Sequence, residues 1–281
     1  MAVFSWELRN STASLYQPEC GMDNLYKYSP IYNPEKLSEE YSLINLFNNQ
    51  ATFSTRKNFN DPFDSKIDFI KPSKKELKAL YSQLKGSEKF SFKQFFLGTD
   101  GKDNIDVFYK KANEKFDEYL FFCLTSLPNN NLMWSHYANS HKGFCLEWDA
   151  SKLNASKAIY QDHIASFELL DIIKGKFGLN LNSAEESKDK IWKALKVKLK
   201  EWEYENEYRI QLGDGMRHLV NEKHSNFSLV SYEPEFIKSI IFGCRMDTKT
   251  INYIDERLPS HIERKYAVET KSKILIKSKL I

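Results

Sequence analysis

The segment EWEYENEYRI (201–210) carries glutamate at 201, 203, 205 and 207. A spacing of two sends side chains to one face of a strand. Such a row is either a solvated edge or the wall of an active site. In a cleft, mutual repulsion and desolvation raise the pKa of at least one carboxyl, which suits proton transfer or charge stabilisation. Glu201 and Trp202 are expected to close a preceding helix. From Tyr204 the alternation sets Glu205, Glu207 and Arg209 on one face, with Tyr204, Asn206, Tyr208 and Ile210 on a core face.

Three other stretches could carry chemistry. In NFNDPFD (58–64), Asn60 and Asp61 precede Pro62, which is strong turn chemistry, and Phe59 and Phe63 are expected to pin the turn. The loop reads as a structural Asx-turn or as a rigid presenter of polar groups; Asp61 and Asp64 alone are a weak cation signal. In CLTSLPNNNLMWSHYANSHKGF (123–144), a strand ending at Thr125 and Ser126 leads into a helix bearing Trp134, Ser135, His136 and Tyr137. Hydroxyl, indole, imidazole and phenol together either satisfy one another in a polar core or grip a planar polar ligand. In LYKYS (25–29), Lys27 lies between Tyr26 and Tyr28 on a strand, solvated or facing an anion.

Positioning these residues requires elements of mixed type. The spacing predicts strands near 25–31, 51–55, 118–126, 143–149, 239–243 and 272–278, with helices over 33–47, 72–86, 104–118, 130–140 and 247–257. Ser73 and Glu76 form a capping box, and Gly86 is a stop. A long basic helix is expected from Ser183 to about Trp202, with its lysines on a solvated face or toward an anionic acceptor. Strands do not alternate regularly with helices, and no G-x-G-x-x-G follows a strand, which argues against a doubly wound dinucleotide fold. The expected class is α+β, mixed and mainly antiparallel, with an N-terminal arm over 1–24 and one catalytic domain over 25–281.

Composition narrows the classes. The net charge of +3 lacks the footprint of a strongly basic nucleic-acid binder. Cys20, Cys123, Cys145 and Cys244 form no C-x-x-C pair, so they are expected to be reduced, with no structural metal. No apolar run reaches the roughly 18 residues of a membrane span, and the N-terminus lacks a signal-peptide pattern. A cytoplasmic protein is expected.

Taken in order, the LYKY strand, the FNDPFD loop, the C-L-T-S…MWSHYA…GFCLE block and the E-x-E-Y-R-I strand resemble a bacterial domain family of unknown function. More distantly they resemble the ADP-ribosyltransferase fold, in its poly-ADP-ribose polymerase and diphtheria-toxin-like branch. That resemblance implies a split sheet with helical insertions and NAD as substrate. It implies Glu207 as the catalytic carboxylate that stabilises charge on the ribose, and Glu205 as the group that orients or deprotonates the acceptor. Tyr137 would stack on nicotinamide and Ser135 would support Glu207. Lys27 or Tyr28 would hold ribose or diphosphate, with Asn60, Asp61, Ser126 and Trp134 as further contacts to NAD. Lys27 stands where that branch has His. The resemblance also implies a toxin or defence effector with a nucleic-acid or protein acceptor and a potential antitoxin. Two other readings stay open: a metal-dependent nuclease using Asp61, Asp64, Glu147, Glu205 and Glu207, and a non-enzymatic nucleotide- or peptide-binding module.

Overall fold

The computed structural model describes residues 23–98, 101–179 and 184–279. The expected N-terminal arm, apart from its last two residues, and the expected cap at Ser183 lie outside these residues. Along the chain run β1 (Asn24–Ser29), α1 (Tyr41–Phe47), β2 (Gln50–Thr55), β3 (Ile67–Ile70), α2 (Lys74–Gln83), α3 (Gly86–Phe96), α4 (Gly101–Phe116), β4 (Leu120–Thr125), α5 (Asn131–Tyr137) and β5 (Phe144–Asp149). There follow β6 (Ser156–Lys157), β7 (Ile159–Gln161), β8 (Ala165–Glu168), α6 (Leu169–Lys176), α7 (Ala184–Leu195), β9 (Val197–Leu199), β10 (Glu207–Gln211), β11 (Val220–Lys223) and β12 (Phe227–Ser231). The chain closes with β13 (Ile237–Phe242), α8 (Thr248–Asp255), β14 (Glu263–Glu269) and β15 (Ile274–Lys277).

These elements group into two compact units, where the sequence leads to one domain. The first comprises 1–55, 120–158 and 201–281; the second comprises 56–119 and 159–200. An α+β class is present as expected, and the pairing is mixed but mainly antiparallel: only β13–β14, β3–β8 and β7–β9 are parallel among the described strands.

The first unit holds an 11-stranded sheet in the order β11-β12-β2-β4-β1-β5-β13-β14-β15, with β10 paired to β4 and β6 paired to β10. The register aligns Leu25, Leu146, Trp148, Ile240 and Phe242 on one face, where they bury against Leu43, Leu46 and Ile254 of α1 and α8. On the other face Tyr28, Cys145 and Ile241 meet Met133 and Trp134 of α5. Covering both faces explains why β5 and β13 read as near-continuous apolar runs.

In the second unit, α2, α3 and α6 enclose Leu77, Leu80, Leu84, Phe92, Phe96 and Ile173. The Ser73–Glu76 capping box forms as read from sequence. Gly86 has a φ of +55° and begins α3 rather than stopping the helix expected over 72–86, which ends at Gln83.

Two helix readings change. The helix expected over 33–47 is a short 3-10 turn and α1, separated by Glu40, whose carboxylate accepts from the amides of Tyr32 and Asn33. The long basic helix stops at Leu195, and β9 and a 3-10 segment (Lys200–Glu205) replace its C-terminal part. Lys198 is therefore buried, with its ammonium 3.3 Å from Asp64. A lysine read as solvated instead neutralises a buried carboxylate, because β-branched Val197 favours the extended backbone that turns it inward.

Candidate active site

Strand pairing brings the chemically suggestive segments side by side within the first unit. Glu207 of β10 pairs with Thr125 of β4, Thr125 with Tyr26 of β1, and Tyr26 with Glu147 of β5. The row continues through Ser239 of β13 to Glu263 of β14. Partners opposite one another across a ladder point to the same face. One line of polar side chains therefore crosses six strands on the face that α5 covers.

The opening glutamates occupy two kinds of backbone. Glu205 ends the 3-10 segment, and β10 begins only at Glu207. Between them Asn206 has a φ of 43°, a left-handed conformation that asparagine tolerates better than most residues. The expected shared strand face for Glu205 and Glu207 is thus broken at Asn206. Tyr204 also leaves the expected core face and packs against the cluster that contains Tyr28, Met133 and Trp134. Tyr208 and Ile210 stay with the opposite core as read.

The face read as polar is itself buried: Glu205 is 3% exposed, Glu207 4% and Arg209 0%. Arg209 Nε lies 2.6 Å from Glu207 Oε1, and its Nη2 lies 3.3 Å from Oε2. This two-point pairing fixes the carboxylate plane. Glu205 accepts from the phenol of Tyr137, while Thr125 Oγ1 donates to the Glu205 carbonyl. The Asn206 amide reaches Ser126 Oγ, and the Asn130 amide donates to Tyr204 O at 2.8 Å. The end of β4, the start of α5 and the entry to β10 are therefore sewn together around two glutamates. Trp202, Tyr204, His136 and Tyr137 form a continuous chain of rings beside them, with successive centroids 6.0, 6.4 and 6.3 Å apart.

Further along the row, Glu147 has a dense set of partners. Asn24 Nδ2 and Lys265 Nζ each lie at 2.6 Å, Tyr26 OH at 3.3 Å, and Ser239 Oγ also donates. Burial pushes this carboxyl up, but Lys265, Ser239 and Tyr26 outweigh it and hold the group below its ordinary value. Lys265 is raised, its own burial being outweighed by Glu147 and Glu263. The phenol of Tyr26 is pushed up to about 12, by burial and then by Glu147. Glu147 and Glu207 are separated by three strand spacings, or roughly 14 Å at about 4.8 Å each. Paired carboxylates that act on one glycosidic bond stand about 5–10 Å apart. Glu147 is too distant to pair with Glu207 in that way.

Other expected site residues are placed differently. Lys27 points to the opposite face from Tyr26 and Glu207, and its ammonium lies 2.9 Å from Cys123 O and over the Phe122 ring. Strand alternation gives the row to Tyr26 instead. Tyr28 lies on the right face, but it is buried and donates to Leu127 O at 2.7 Å. Trp134 is fully buried edge-on against Tyr28, with Nε1 donating to Pro128 O at 2.9 Å. Ser135 does not turn to Glu207; it donates to Asn131 O at 2.9 Å and meets His141. Asn60 and Asp61 belong to the second unit. There Asp61 Oδ1 accepts from Phe63 N at 2.8 Å, which is the structural Asx-turn reading. Phe63 is half exposed and does not pin the turn as expected.

Residues 133–210 match a family model described as "Protein of unknown function (DUF2971)". The matched stretch contains Trp134, Ser135, Tyr137, Glu205 and Glu207 of the expected site, together with Glu147. Lys27, Tyr28, Asn60, Asp61 and Ser126 fall outside it. Neither the curated proteins nor the solved structures contain a significant match.

Sequence reading missed Asn24, Tyr26, Thr125, Asn206, Ser239 and Lys265 as parts of this face. The Tyr-Lys-Tyr alternation carried a signal for Tyr26, and the asparagine between two glutamates carried one for the left-handed break. Ser239 and Lys265 gave none, because only strand order brings them to Glu147. For metal binding, no three His, Cys, Asp or Glu side chains among the described residues are grouped to hold an ion. Glu147 faces Lys265, Asp64 faces Lys198, and Glu207 faces Arg209, so each already has a cation as partner.

Proposed function

We propose that the first unit is an NAD-dependent ADP-ribosyltransferase that works at the entry to β10. The observation that carries the reading is the bond from Tyr137 to Glu205, which sets the helix of the second motif on the carboxylate pair of the third. The motif strands β1, β4 and β10 are also consecutive neighbours. The ring chain beside the glutamates supports the same substrate. Nicotinamide in NAD is planar and cationic, and aromatic faces flanked by carboxylates favour such a ring over an anionic one.

In this reading Tyr137 and Tyr204 receive the nicotinamide ring. Cleavage of its bond to ribose develops positive charge on the sugar, as in glycoside hydrolysis. Glu207, held in plane by Arg209, stabilises that charge. Glu205, oriented by Tyr137, accepts the proton of the incoming nucleophile. Tyr26 and Thr125 extend the polar floor in the place first given to Lys27. The acceptor is a nucleic acid or protein, as expected of a toxin or defence effector restrained by an antitoxin.

The test is transfer of label from NAD to lysate components without added metal. Wild-type protein should transfer label, and a folded Glu207→Gln variant should lose that activity by a factor of about 10² or more. Equal transfer by the folded variant would overturn the assignment, and so would a wild-type protein that neither binds nor cleaves NAD.

A further inference from the structure

The net charge of +3 is not shared evenly along the chain. The second unit carries 22 Lys and Arg against 17 Asp and Glu, and the first carries 19 against 21. Much of the surplus comes from one stretch. From Lys74 to Lys93, α2, α3 and the bend between them hold six lysines and two glutamates. Both glutamates lie in the first turn of a helix, where the dipole favours them. Glu76 Oε2 is committed to Ser73, accepting from its N at 2.7 Å and its Oγ at 2.6 Å. Lys74, Lys75, Lys78, Lys85 and Lys93 are exposed and have no carboxylate within 4 Å among the described residues. Lys71, Lys110 and Lys200 of the same unit are each paired with one.

The core explains why these lysines share a surface. Leu77 and Leu80 turn toward Phe92 and Phe96, which leaves Lys74, Lys75 and Lys78 on the outer side of α2. Lys74 and Lys78 are one turn apart, and so are Lys78 and Tyr81, and Lys89 and Lys93. Lys89 Nζ lies 4.8 Å from the Tyr81 ring centroid, so the stripe passes from α2 to α3. Like charges one turn apart repel, and a bound polyanion relieves that repulsion. Beside them Phe90 is 70% exposed, one turn from Lys93. A bare ring among unpaired ammonium groups suits a ligand that offers phosphates and open bases together, because a base of any identity can stack on the ring. An acidic peptide answers the charge alone, and a duplex keeps its base faces covered.

We propose that the α2–α3 surface of the second unit binds single-stranded nucleic acid, with its lysines on the backbone phosphates and Phe90 beneath a base. The small net charge of the whole chain conceals this surface, because the acidic residues of the first unit offset the surplus. The proposal goes beyond the NAD chemistry: the binding uses no NAD and no residue of the first unit.

The probes are fluorescently labelled single strands of about 12 nucleotides, one RNA and one DNA of the same mixed sequence, and the readout is anisotropy in buffer without NAD. Wild-type protein should bind at least one strand, with an affinity that falls as salt rises. Lys78→Glu combined with Lys93→Glu should weaken binding by about tenfold or more at about 0.1 M salt. Lys271→Glu combined with Lys273→Glu, the same change in charge at exposed positions of the first unit, should leave it unchanged. Phe90→Ala should weaken binding by about fivefold or more, the lower end for one stacked base, without altering the salt slope. Circular dichroism checks that each variant is folded. The proposal fails if the wild-type protein binds neither strand, or if the two charge-reversed proteins weaken equally. It also fails if poly-glutamate displaces the strand as well as an unlabelled strand of equal charge does, a comparison that needs no variant and would assign the surface to acidic protein. None of these results bears on NAD chemistry.

Discussion

Tyr137 and Glu205 are 68 residues apart in sequence and share a hydrogen bond from phenol to Oε1. The contact joins α5 to the turn that feeds β10. It exists because Asn130 caps α5 and also donates to Tyr204 O, which fixes both ends of the bridge. The carboxylate is buried, so the phenol supplies a hydrogen bond that water would otherwise make.

Removing that phenol isolates the acceptor. Tyr137→Phe should lower unfolding stability by about 1–2 kcal/mol, since a buried oxygen loses a donor. Urea denaturation measures this. If Glu205 orients the acceptor, the same variant should reduce label transfer from NAD more than it reduces NAD binding; an equal loss in both would assign Tyr137 to ring binding alone.

Arg209 and Glu207 should respond as a pair. Arg209→Met leaves a buried carboxylate without its guanidinium and should cost about 3–5 kcal/mol. Adding Glu207→Gln should restore part of that loss, which a double-mutant cycle followed by chemical denaturation would resolve. Strict additivity would show that the two side chains do not stabilise one another.

The Glu147–Lys265 pair sets a pH window. The folded carboxyl lies below its ordinary value, so its contribution is present above the unfolded pKa of about 4.3 and is lost as pH falls through the folded value. The lysine is raised, so its contribution is complete below about 10.4 and is lost as pH rises through the folded value. Melting temperature against pH should show a plateau between these limits. Lys265→Met should flatten the alkaline limb and destabilise the protein at neutral pH by about 3 kcal/mol, near the lower end for a broken buried pair. An unchanged profile would mean that the pair is equally formed in the unfolded chain.

Gly143 and Gly243 permit the crossing that holds His141. A Cβ on Gly143 would lie 2.1 Å from Ser29 O, and one on Gly243 would lie 2.6 Å from Gly143 O. These neighbours are backbone and cannot swing aside. Gly243→Ala should therefore destabilise by about 3 kcal/mol, the upper range for overpacking. Thermal melting that matches wild type would show that the crossing relaxes freely.

Local chemistry made much of this legible in the sequence. Alternation in LYKYS separates Lys27 from its tyrosines, Ser73 and Glu76 announce the start of α2, and the Asn-Asp-Pro turn forms as its residues dictate. The helix forecast over 183–202 holds as far as Leu195 and fails beyond it, because a lysine-rich periodicity describes a solvated face, whereas Lys198 finds Asp64 from a distant loop. Likewise a spacing of two described the four glutamates only while the backbone stayed extended. One left-handed asparagine sent Glu205 to Tyr137 and left Glu207 to Arg209.

The sequence by itself determined the mixed α+β class, the separate motif segments and the residues able to carry charge or stack on a ring. Those properties follow from propensity, capping and periodicity, which act over a few residues. Only the tertiary structure decided that Glu207, Thr125, Tyr26 and Glu147 lie in one row, that Lys265 neutralises Glu147, and that His141 stands between Ser135 and Cys244. These relations depend on strand order and register, and non-local pairing is set by burial of whole faces rather than by any short stretch of chain.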